Sequence, residues 1–120
     1  MHRLLKFRAI YQGKISGNIL LQGNDVRFNF GGSYDHLDQI TGLHDKDGKD
    51  IWENDIICFT TKNDSKHYYK VYWSNSRGQW RMNGNRTDMA LWDNAVRHEV
   101  VGTVYDEKQP AIQESFEPLK

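Results

Sequence analysis

Apolar and polar residues alternate one by one along much of this chain. Across residues 26–30, Val26, Phe28 and Phe30 are separated by Arg27 and Asn29. Across residues 67–73, His67, Tyr69, Val71 and Trp73 fall on one side of a pleated strand, with Tyr68, Lys70 and Tyr72 on the other. Side chains of a strand point to opposite faces in turn, so this period of two predicts half-buried strands and argues against amphipathic helices. Residues 4–10 follow the same rule, with Leu5, Phe7 and Ala9 opposed to Lys6 and Arg8.

Turn residues punctuate these runs. Gly23-Asn24-Asp25 predicts a hairpin between residues 18–21 and 26–30, and Gly31-Gly32-Ser33 ends the second run. Residues 51–61, 79–82 and 98–105 also read as extended, with Ser74-Asn75-Ser76-Arg77-Gly78 as a turn. Gly102 marks a bulge or a close backbone approach in the last of them. Residues 87–92 fit a short helix capped by Thr87 as well as they fit a strand. Beyond Asp106, Pro110 and Pro118 among scattered charges predict a loosely packed arm. The expectation is an all-β, mainly antiparallel, small barrel-like domain over residues 1–106, an arm over 107–120, and at most one or two short helices. Closing the sheet would protect its edges.

A length of 120 residues suits one domain with a modest core. Apolar residues are only 38%, so the 12% of aromatics must supply much of the buried area. Sixteen basic and sixteen acidic residues cancel, which excludes a global electrostatic footprint for nucleic acid or an anionic membrane. Cys58, the sole cysteine, sits in the apolar run Ile56-Ile57-Cys58-Phe59 and is expected to be buried and unreactive. The charged start of the chain does not resemble a secretory signal, and no stretch approaches the roughly 20 apolar residues of a membrane helix. A cytoplasmic location is the expectation.

Residues 42–57, Gly-Leu-His-Asp-Lys-Asp-Gly-Lys-Asp-Ile-Trp-Glu-Asn-Asp-Ile-Ile, raise the question of a cation site. With Gly48 at the sixth position of a calcium loop, Asp47 and Asp45 fall at the fifth and third, but Leu43 takes the first and Asn54 the twelfth. Leucine cannot ligate and asparagine is not the bidentate carboxylate such a loop needs. Asp47-Gly48 reads better as a hairpin turn, with Glu53-Asn54-Asp55 as a second turn feeding the buried run. His2, His36, His44, His67 and His98 share no ligand spacing, and no nucleophile elbow, phosphate loop or dinucleotide fingerprint is present. No catalytic residue, metal or cofactor is therefore expected.

The aromatic content permits one binding surface. Tyr68, Lys70, Tyr72, Arg77, Trp80 and Arg81 combine stacking rings with cations, as single-strand nucleic-acid binders do. The competing reading makes Tyr69, Val71 and Trp73 core and the opposite face ordinary surface. Some tyrosines could also serve a subunit contact.

Three segments in order carry a family resemblance: residues 5–11 (Leu-Lys-Phe-Arg-Ala-Ile-Tyr), residues 40–57, and residues 99–106 (Glu-Val-Val-Gly-Thr-Val-Tyr-Asp). They resemble the YopX family, small proteins encoded by phages and prophages. Lys6-Phe7-Arg8-Ala9 matches its first pattern, and Thr41, Gly42, Leu43, Asp45, Gly48, Ile51, Trp52, Glu53, Asp55 and Ile56 match its central one. Val100, Gly102 and Tyr105 match the closing pattern. Asn54 replaces the family's usual glycine, and asparagine is the best substitute for a left-handed residue. The resemblance implies an all-β, barrel-like fold and a motif that specifies that fold, with no catalytic set. The expected function is that of a non-enzymatic accessory protein acting through protein contacts, as a homo-oligomer or on an unidentified protein partner. Single-strand nucleic-acid binding is the alternative.

Overall fold

The computed structural model describes residues 4–22, 25–30 and 33–108. Among them are ten strands and a single 3-10 turn, Ala95–Arg97, with no α-helix. The strands are β1 (Leu4–Tyr11), β2 (Lys14–Gln22), β3 (Asp25–Phe30), β4 (His36–His44) and β5 (Asp50–Trp52). They continue as β6 (Asp55–Thr60), β7 (Lys66–Ser74), β8 (Gln79–Gly84), β9 (Thr87–Ala90) and β10 (Glu99–Thr103). The chain forms two compact units, Met1–Ile40 and Thr41–Lys120.

The first unit is an antiparallel sheet in the order β3-β2-β1-β4. Gln12 (φ 51°) and Gly13 (φ 76°) turn β1 into β2 between the paired Tyr11 and Lys14. Two successive positive φ values match the twist of the flanking strands. Ile19 is buried, yet Val26 and Phe28, across the ladder on β3, are 52% and 67% exposed. Their alternation thus marks an edge row open to solvent, where the sequence predicts a half-buried one. Residues 36–40 of β4 carry no strong strand signal, but the polar Asp38 finds its partner across the ladder. Arg8 Nε donates to Asp38 Oδ2 at 3.1 Å, and His36 Nε2 lies 2.8 Å from Asp38 Oδ1. The Gly23-Asn24 turn, Gly31-Gly32 and the arm beyond residue 108 lie outside the described residues.

In the second unit the end of β4 pairs with β5, and a five-stranded antiparallel sheet runs β10-β6-β7-β8-β9. One face of that sheet builds the core. Ile57, Tyr69, Val71 and Met82 come from three neighbouring strands, and Ile51, Leu91 and Ala95 pack over them. The all-β, antiparallel expectation holds, but the closed barrel does not. β9 and β10 remain the two edges of this sheet. The reason is that β5 and residues 91–95 cover the apolar face, so the sheet need not curl onto itself.

The ambiguous residues 87–92 resolve as strand β9 followed by a turn. Asn85 (φ 46°) and Arg86 (φ 59°) form a tight hairpin that leaves Thr87 paired to Gly84. The bulge expected at Gly102 is present, since β10 pairs Val100 with Ile57 but Gly102 with Ile56. A Cβ on Gly102 would collide with Asp106 Oδ2, which itself accepts the Thr103 amide at 2.9 Å. Cys58 is buried, as its apolar neighbours predict.

Candidate functional site

The acidic stretch of the second unit is a set of backbone clamps. Asp45 is 4% exposed and its carboxylate is filled by amide donors. Oδ1 accepts from Asp47 N at 2.9 Å and Lys49 N at 2.8 Å, and Oδ2 accepts from Val100 N at 2.9 Å. Burial alone would raise its pKa, but these three N–H bonds and the Lys49 charge outweigh it and hold the carboxyl below the usual range. Asp45 N donates to Lys49 O and Gly48 N to Asp45 O, so the loop closes on itself. Of the Asp47-Gly48 pair, only Gly48 takes a positive φ, 83°. An L side chain there would be strained.

The flanking motif residues work in the same way. Thr41 Oγ1 donates to Ile51 O at 2.7 Å and accepts Leu43 N at 3.1 Å, tying β4 to β5. Asp55 is buried and Oδ2 accepts Trp52 N at 2.8 Å across the Glu53-Asn54 corner. Asn54 has φ 67°, the left-handed value its place demands. Its amide donates to Val71 O at 2.9 Å, its carbonyl accepts Val104 N at 3.0 Å, and Nδ2 donates to Tyr105 Oη at 3.1 Å. The central and closing segments therefore meet through Asp45–Val100 and Asn54–Tyr105. A family model described as YopX protein matches residues 5–109. The chain belongs to the YopX family. No curated protein matches it.

In this YopX chain the residues considered for stacking on nucleic acid divide between two faces. Cross-strand pairing of Tyr72 with Arg81 and Lys70 with Asn83 puts these four on one face, together with Tyr68. Trp80 pairs with Trp73 on the other face, which also carries Val71 and Met82. Those two indoles meet edge to face at 5.2 Å, and Trp73 is 42% exposed at the end of the strand, unlike the buried Tyr69 and Val71. Arg77 lies in the β7–β8 turn and is exposed.

Arg81 is buried and its guanidinium is held by Asp88 of β9, a residue absent from the sequence-based candidates. Nε donates to Asp88 Oδ1 at 2.6 Å, Nη2 to Asp88 O at 3.1 Å, and Nη1 to Gln79 Oε1 at 2.5 Å. The other Asp88 oxygen accepts the Tyr72 hydroxyl in a short hydrogen bond, and Asn83 Nδ2 at 3.0 Å. Burial works against the Asp88 anion, but Tyr72, Arg81 and Asn83 outweigh it, so its pKa is lowered. Burial and the neighbouring Asp88 carboxylate push the Tyr72 phenol up to about 12. Asp88 would have been legible had Asn85-Arg86 been read as a two-residue hairpin turn, because that pairing sets Asp88 opposite Asn83.

The second unit also holds a cavity that sequence reasoning missed. It measures about 190 Å³ and is lined by Phe59, Tyr69, Met89, Asn94, Arg97 and His98. His98 is 4% exposed, 5.5 Å from the Phe59 ring and 5.3 Å from the Tyr69 ring, centroid to centroid. Its Nδ1 lies 2.8 Å from the Asn94 carbonyl, which can only accept, so Nδ1 carries the proton. Burial lowers the His98 pKa and Arg97 adds to that effect, against the opposing Asn94 bond. In the sequence His98 was legible only as one of five histidines without a shared ligand spacing.

Proposed function

We propose that this YopX protein is a phage or prophage accessory protein that acts without catalysis, through protein contacts that include association with its own copies. The observation that supports this reading is the exposure of Val26 (52%) and Phe28 (67%) on β3, the edge strand of the first unit. Among the described residues no strand pairs with the outer side of β3. An edge strand with an apolar row is a template for pairing, and natural sheets usually blunt it with charge or proline. A two-fold antiparallel pairing that sets Phe28 opposite Phe28 of a second copy would also set Arg27 against Asn29, with no like charges facing. The backbone groups on the outer side of β3 would then be paired, and the two Phe28 rings would lie side by side.

Sedimentation velocity over a range of concentrations tests this. The wild-type chain should associate and Phe28→Lys should sediment as a monomer with unchanged circular dichroism. A wild-type chain that remains monomeric at high concentration refutes the self-association. Single-strand nucleic-acid binding has less support, because Asp88 already occupies Arg81 and Trp80 faces away from Tyr72. Fluorescence anisotropy with labelled oligonucleotides at low salt tests it, and absence of binding there removes it.

A further inference from the structure

The cavity beside His98 has the parts of a small-molecule site. Three of its walls, Phe59, Tyr69 and Met89, are apolar or aromatic. Its polar groups are few and differ in depth: His98 is almost fully enclosed, whereas Arg97 is exposed. The Asn94 carbonyl fixes the proton on Nδ1, so Nε2 presents a lone pair. Nε2 has no partner among the described residues. Among the described residues no fully enclosed side-chain nitrogen or oxygen lacks a partner, so Nε2 keeps some accessible surface, and His98 lines the cavity. Arg97 forms no ion pair among the described residues.

We propose that this cavity binds a small planar anion: one ring with an N–H or O–H donor at its inner end and an acidic group at its outer end. The donor meets His98 Nε2, the ring lies against Phe59, Tyr69 and Met89, and the anion meets Arg97. Size supports a single ring, since a cavity of about 150 Å³ accepts benzene and this one is about 190 Å³. A few convergent polar groups in an otherwise apolar pocket are the usual composition of a ligand site. The same chemistry could come from a phenolic acid or from a pyrimidine carboxylate, whose ring supplies the N–H and whose carboxylate supplies the charge.

Titration calorimetry on the full chain separates the sources, using 4-hydroxybenzoate and orotate, with benzoate and 4-hydroxybenzyl alcohol as controls. One of the two probes should bind with a stoichiometry of one, and the winner names the source. The control lacking the donor and the control lacking the charge should each bind more weakly. Arg97→Gln changes an exposed residue and leaves the core intact, and should weaken the binding probe roughly tenfold, the worth of one charge-assisted contact. Met89→Trp should fill the cavity and abolish the heat. Absence of binding by both probes at millimolar concentration overturns the proposal, as does binding unchanged in Arg97→Gln and Met89→Trp. The association state of the chain is read separately by sedimentation, so neither result bears on the other.

Discussion

Asp45 accepts the amide of Val100, 55 residues further along the chain, at 2.9 Å. The same carboxylate holds Asp47 and Lys49 in the β4–β5 loop, so one buried anion fixes a local turn and anchors it to β10. Asp45→Ala would leave three amides without their acceptor. The expected loss is on the order of 3 kcal/mol, visible as a lower urea midpoint with an unchanged slope. A midpoint shift no larger than that of an ordinary surface substitution would contradict the role.

Asp45 and Asp88 both make the stability of the fold depend on acid. Both carboxyls sit below the ordinary value of 3.8, because the hydrogen bonds to their anions outweigh burial. A depressed folded pKa gives stability that is complete above 3.8 and is lost as pH falls through the lower folded values. Thermal stability should therefore fall below about pH 4, and Asp45→Asn should reduce that acid dependence.

His98 acts in a higher pH range and in the opposite chemical sense. Burial lowers its pKa from 6.5, so below that pH the unfolded chain takes up a proton that the folded chain refuses. Its neutral form is fully accommodated above 6.5, and stability falls as pH drops from 6.5 toward the folded value. Chemical denaturation at successive pH values between neutral and mildly acidic should show this slope, and His98→Gln should flatten it.

The Arg81–Asp88 pair is buried on both sides, with side-chain exposures of 10% and 9%. Removing only the anion leaves a guanidinium enclosed and uncompensated, which costs about 3 kcal/mol or more. Asp88→Ala should be the most damaging change on this face, and Asp88→Ala combined with Arg81→Met should recover part of the loss in a double-mutant cycle. Tyr72→Phe should remove from an alkaline absorbance titration the phenol raised to about 12.

Asn54 tests the departure from the family's glycine. Glycine would adopt φ 67° freely but lose the Nδ2 bond to Tyr105, whereas alanine would lose the bond and keep the strain. Left-handed backbone costs a non-glycine residue roughly 1–2 kcal/mol. Asn54→Gly should lie near wild type in thermal stability, with Asn54→Ala clearly below it. Equal values for the two would mean that backbone conformation is not what this position selects.

Most strands were legible because their signal is local. Alternation around Val71 and Phe28, the glycine at position 48 and the asparagine at 54 each report on the backbone of a few adjacent residues. Residues 36–40 were not legible, because Asp38 becomes a strand residue only once Arg8 stands opposite it. Likewise Asp88 gains meaning from Tyr72, Arg81 and Asn83, which the β8–β9 hairpin brings to it.

By itself, the sequence determined that this is an antiparallel β protein with turns at Gly48 and Asn54 and a buried Cys58. Only the tertiary structure decided that the core is capped by Ile51, Leu91 and Ala95 instead of enclosed by a barrel, and that Val26 and Phe28 face solvent. It alone placed His98 in the wall of a cavity. The physical reason is that a period of two tells which residues share a face, while what covers that face depends on segments far away along the chain.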